Sequence, residues 1–153
     1  MEPDASNEPV LVLREEDPEF WLGIGKTRSR SWLLLESGSK DTSEIHLLAA
    51  HSPDSAPLCI QQRQAGVEYS IDHRPGSFYR LHNQAGAHFQ LDFLPESQLG
   101  QPQLNWQTLI AHREEATLEG VDAFSWGLML AERDHAQAQV RLRRLLFDAQ
   151  HSC

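Results

Sequence analysis

Val67-Glu68-Tyr69-Ser70-Ile71-Asp72, Ser77-Phe78-Tyr79-Arg80-Leu81-His82 and His88-Phe89-Gln90-Leu91-Asp92-Phe93-Leu94 are three short segments separated by turn formers, Arg74-Pro75-Gly76 and Asn83-Gln84-Ala85-Gly86. In the first, Val67, Tyr69 and Ile71 point one way and Glu68, Ser70 and Asp72 the other. In the third, Phe89, Leu91 and Phe93 alternate with Gln90 and Asp92. A period of two marks a strand, because successive side chains face opposite sides of a sheet. A fourth segment, Leu104 to His112, continues the pattern through Trp106, Thr108 and Ile110.

The same unit recurs on either side. Upstream lie Phe20 to Lys26, the near-continuous apolar run Ser31 to Glu36, Ser43 to Ala49 and Leu58 to Gln62. Downstream lie Leu118 to Phe124, Leu128 to Glu132 and Gln139 to Leu145. Between Asp134 and Asp148 good helix formers compete with the alternation of Val140 and Leu142, and the repeat favours a strand. The second strands of the units begin near Trp32, Phe78 and Leu128, 46 and 50 residues apart. Four strands per ~40–50 residues is the period of a propeller blade, although a β-sandwich shares the short strands and frequent turns. A further short strand is expected at Val10-Leu11-Val12-Leu13, after a polar, disordered tail at 1–9.

Composition bounds the function. The 153 residues suffice for one domain with a core. The net charge is −9 and Lys26 and Lys40 are the only lysines, which argues against nucleic acid or an anionic membrane as partner. Basic peptides are compatible with that charge. No apolar run reaches the ~20 residues of a membrane-spanning helix. The start, Met1-Glu2-Pro3-Asp4-Ala5, is acidic and polar, unlike a secretory signal, so a cytoplasmic protein is expected. Cys59 and Cys153 form no CxxC pair; Cys59 reads as a small core residue.

The chemistry-bearing motifs are missing. There is no Gly-x-Ser-x-Gly elbow, P-loop, GxGxxG or HExxH. The eight histidines are scattered; His82 and His88 lie on adjacent expected strands, but a zinc site needs a third ligand and none is indicated. Asp72-His73 cannot make the aspartate–histidine bond of a triad, since neighbours on a strand face opposite ways. The acidic runs Glu15-Glu16-Asp17 and Glu114-Glu115 read as solvated turns, and Trp21, Trp32, Trp106 and Trp126 as rings buried between stacked sheets. No catalytic, cofactor-binding or metal-ligating residue is assigned, and no cofactor is expected.

Three stretches resemble one family. Gly23-Ile24-Gly25-Lys26-Thr27-Arg28-Ser29-Arg30, followed by the leucine-rich strand and Asp41-Thr42-Ser43-Glu44-Ile45, is similar to the propeller of oligopeptidase B (bacterial protease II), of the prolyl oligopeptidase family of serine peptidases. Gly66 to His73 with Phe78-Tyr79-Arg80 and Asn83 resembles the next blade. His112-Arg113-Glu114-Glu115, Leu118 to Asp122 and Glu132-Arg133 resemble the one after. The stretches are in order and span about residues 10 to 145. The family's usual Lys-Asn before the aromatic residue is not kept at Ala87-His88-Phe89.

The resemblance implies an all-β fold: about three four-stranded antiparallel blades of a seven-bladed propeller, at about 20–64, 66–113 and 116–147, the third incomplete, within a partial propeller over 10–150. It implies a larger enzyme whose α/β-hydrolase domain carries the Ser-Asp-His triad and cleaves short peptides after Arg or Lys, while the propeller restricts access. This chain would lack that domain and the other blades, and three blades leave two apolar faces bare, a route to self-association. Arg63, Glu68 and Arg80 are charged residues that would line a channel, contact the hydrolase domain or lie on ordinary blade surface. The alternative is a stand-alone β-rich binding or scaffold protein without peptidase activity.

Overall fold

The computed structural model describes residues 8–137 and 139–147. Among the described residues eleven strands form three antiparallel sheets. The first has β1 (Trp21–Lys26), β2 (Trp32–Gly38), β3 (Ser43–Ala49) and β4 (Leu58–Gln61); the second has β5 (Tyr69–Arg74), β6 (Ser77–His82), β7 (Gln90–Pro95) and β8 (Gln107–Ile110). The third has β9 (Ala116–Phe124), β10 (Gly127–Asp134) and β11 (Gln139–Leu146). Each strand pairs with its sequence neighbour, as in propeller blades, and among the described residues the sheets do not close into a ring. Among the described residues no helix is long and apolar enough to cross a membrane.

The sheets are stacked on two apolar layers. Leu34, Ile45, Leu47 and Ile60 of the first meet Tyr69, Ile71, Phe78 and Leu94 of the second. On the other side Tyr79, Leu81 and Leu91 meet Leu118, Ala123, Leu128 and Leu130 of the third. Adjacent residues of β6 thus serve opposite layers: Phe78 faces the first sheet and Tyr79 the third. The second sheet is covered on both faces, whereas the outer sheets keep exposed apolar side chains: Leu22, Ile24, Val140, Leu142 and Leu146.

Four expectations need correction. Val10–Leu13 is not a strand: it has no pairing partner, and it lies beside Leu22, Ile24 and Leu35 on the open face of the first sheet, with Val10 82% exposed. The fourth strand of the second unit is only Gln107–Ile110; Leu104 and Trp106 precede it and pack on the first core as irregular chain. Trp32 and Trp106 pack between sheets, but Trp21, on an edge strand, and Trp126, at the β9–β10 turn, are exposed. Glu15 is not a solvated turn residue: both its carboxylate oxygens take Arg63, at 2.8 and 2.7 Å. The segment at 139–146 is a strand, since β10 offers it a full edge. Residues 1–7, most of the expected tail, and Cys153 lie outside the described residues.

Candidate functional site at the hairpin end

The first two strands of every sheet are joined by a tight hairpin, so the three hairpins fall at one end of the stack. They bring together Thr27–Ser31, Arg74-Pro75-Gly76 and Phe124-Ser125-Trp126. Their residues line a cleft of about 290 Å³ that includes Arg28, Ser29, His73, Arg74, Ala123 and Ser125.

Asp72 is the centre of this end. Oδ1 accepts the backbone N–H of Arg28 and of His73, each at 2.9 Å, and Oδ2 accepts that of Ala123 at 2.7 Å. One carboxylate therefore ties the first, second and third sheets. The alternating pattern placed Asp72 on the face opposite Ile71; it is 7% exposed because that face is covered by the third sheet. Arg28 also spans sheets: its guanidinium lies 4.6 Å over Phe124 and bonds Asp122 at 3.0 Å. That ion pair is half exposed and contributes little.

His73 does not touch the Asp72 carboxylate with its ring. Its Nε2 lies 3.1 Å from Glu96 Oε2 and its Nδ1 2.7 Å from Ser29 Oγ. Burial pushes the Glu96 carboxyl up, but the His73 contact and the Gly76 N–H outweigh it and hold it below its ordinary value. An ionised carboxylate only accepts, so His73 donates Nε2–H to Glu96, and its Nδ1 shares the second hydrogen bond with the Ser29 hydroxyl. The connectivity is that of a serine–histidine–acid triad with the ring reversed.

The serine is nevertheless spent on structure. Ser29 Oγ also shares a hydrogen bond with the Thr27 hydroxyl at 2.8 Å and accepts the Ser31 N–H at 3.2 Å. The hydroxyl thus has three partners, two of them in its own hairpin. The network fastens the first hairpin onto the second sheet. Its residues are far apart in sequence, and no local motif announces them.

The remaining polar clusters also join strands. Asp92, 3% exposed, accepts His82 Nε2 and Arg80 Nη2 at 2.7 Å on Oδ2, and Gln90 at 2.8 Å on Oδ1. Burial raises its carboxyl, but bonds from His82, Arg80 and Gln90 outweigh this and set it at about 2. Because His82 Nδ1 accepts the Gln84 N–H, its Nε2 carries the proton given to Asp92. Arg80 reaches Gln61 of the first sheet at 2.7 Å and lies over Trp106. His88 sits with His112 and His135 instead, ring centroids 5.4 and 4.7 Å away, and shares the Thr117 hydroxyl with His135. Arg63 is held by Glu15 and Glu44.

Residues 3–151 match the family described as prolyl oligopeptidase, N-terminal beta-propeller domain. Protease 2 of Moraxella lacunata is 30% identical over 130 residues, covering 85% of this chain and 18% of that protein. A prolyl endopeptidase-like protein of Xenopus laevis is 28% identical over 141 residues, 91% of this chain and 19% of that one. Among solved structures, oligopeptidase B from Leishmania major superposes with a TM-score of 0.80 at 24% identity, over 94% of this chain and 20% of that chain. Oligopeptidase B from Trypanosoma brucei with covalently bound antipain gives 0.79 at 21% identity, over 94% of this chain and 21% of that chain. The chain thus spans about a fifth of the length of the relatives it matches.

Proposed function

The chain belongs to the prolyl oligopeptidase N-terminal β-propeller family, and from that premise we propose that it is a section of the access-controlling propeller of an oligopeptidase B-like serine peptidase. In this reading residues 10–150 supply three blades, the third completed by chain from elsewhere. An α/β-hydrolase domain and further blades are its partners. The substrates are short peptides cut after Arg or Lys, which the net charge of −9 would help attract.

The observation that carries the reading is the unequal covering of the sheets. The middle one is buried on both faces, while the outer two keep Ile24 79% and Leu142 73% exposed. Such faces fit neighbouring blades on either side. Chemistry is assigned to the partner domain because the sequence has no Gly-x-Ser-x-Gly and because the hydroxyl beside His73, that of Ser29, is also bonded to Thr27 and Ser31 of its own hairpin.

A chimera tests this. Residues 10–147 replace the corresponding blades of oligopeptidase B from Leishmania major, and the product is assayed on short arginyl and lysyl peptides and on an unfolded protein. Cleavage of the short peptides with sparing of the long chain is expected. A folded chimera that cuts both alike contradicts access control by these blades.

A further inference from the structure

On the face of the first sheet turned away from the second, three different donors converge. Glu44 and His46 are two apart on β3 and share a face. The β3–β4 register shifts between Ile45 and His46, so His46 pairs with Cys59. One ligand atom from each of Glu44, His46 and Cys59 lies within 4.8 Å of the others, and all three side chains are half-buried. His46 Nδ1 is buried and has no hydrogen-bond partner among the described residues. A buried imidazole nitrogen without a partner is costly unless something fills its lone pair or takes its proton.

We propose that Glu44, His46 and Cys59 form a zinc-binding site on the outer strand pair of the first sheet. A carboxylate, an imidazole and a thiolate suit zinc, whereas magnesium and calcium select oxygen donors. The surroundings are arranged for it. Arg63 donates its backbone N–H to Glu44 Oε2 at 2.9 Å and its guanidinium to Oε1 at 3.1 Å, which fixes the carboxylate while leaving further lone pairs. Arg63 is shared with Glu15, so the two carboxylates and the guanidinium together carry one negative charge. The Cys59 thiolate adds a second, and a dication neutralises the group. With three protein donors, the fourth position is left for water or another ligand. Sequence pattern alone read Cys59 as a core residue, because the bulge that sets His46 opposite it is invisible there.

The test uses the whole chain carrying Cys153→Ser, so that Cys59 is the only thiol. Zinc is titrated calorimetrically, and cobalt is followed by absorption, where thiolate ligation gives a charge-transfer band. One equivalent is expected to bind with that band and to protect Cys59 from alkylation. His46→Gln should weaken binding at least ~10-fold, and Cys59→Ser should abolish the band. His88→Gln, in the other histidine cluster, should leave both unchanged. Circular dichroism establishes that each variant is folded. In the folded parent protein, absence of the band or of alkylation protection overturns the proposal, as does zinc binding that is lost with His88→Gln.

Discussion

Asp72 Oδ2 accepts the backbone N–H of Ala123 at 2.7 Å, across 51 positions of sequence and from one sheet to the next. Its other oxygen holds Arg28 of the first sheet. Asp72→Asn turns one acceptor oxygen into a donor that faces an N–H, leaving a buried donor unpaired at about 1–3 kcal/mol. Urea unfolding should show a lower midpoint with an unchanged slope, and amide exchange at Arg28 or Ala123 should accelerate.

The Tyr69 hydroxyl stands in for a missing rung of the β3–β4 ladder. It accepts the Ile45 N–H at 2.6 Å and donates to the Gln61 carbonyl at 2.7 Å, at the β3–β4 register shift. Tyr69→Phe keeps the ring packed but strands two buried backbone groups. The expected loss is about 2–4 kcal/mol from two such groups, measured by denaturant titration. A neutral result would mean that water repairs the gap.

Asp92 titrates at about 2, because hydrogen bonds from His82, Arg80 and Gln90 outweigh its burial. Its folded value lies below the ordinary carboxylate value, so its contribution, of order 2 kcal/mol, is fully present above about pH 4. That contribution fades as pH falls from about 4 to about 2. Unfolding measured between pH 2 and pH 6 should show this leg, and Asp92→Asn should flatten it.

Gly127 opens β10 with φ +150, and a Cβ there would run into the backbone carbonyl of Leu145 on β11. Gly127→Ala should cost about 1–3 kcal/mol and loosen the third sheet. Hydrogen exchange should rise in β11 before it rises in β6.

Strand order was legible in the sequence wherever local alternation decides it. Ser77–His82 is found at its expected bounds, and the repeat rightly favoured a strand at the end of the third unit. Alternation does not tell where a polar residue is buried by a distant partner. Asp72 and Asp92 alternate with apolar neighbours as the sequence shows, yet the middle sheet is covered on both faces and they bind groups the local pattern cannot see. Val10–Leu13 failed the other way: its apolar residues lie over the open face of the first sheet, beside Leu22, Ile24 and Leu35, and not along its edge, where a strand would pair. The Ser29–His73–Glu96 network was missed because its members lie 44 and 23 positions apart.

The proposed function places this chain in a propeller and assigns the peptidase chemistry to a partner domain. The purified chain is treated with a fluorophosphonate, and turnover of an arginyl chromogenic peptide is followed in parallel. The account predicts no covalent label and no turnover. Labelling of Ser29, or cleavage that disappears in Ser29→Ala, would contradict it and make the Ser29–His73–Glu96 network an active site.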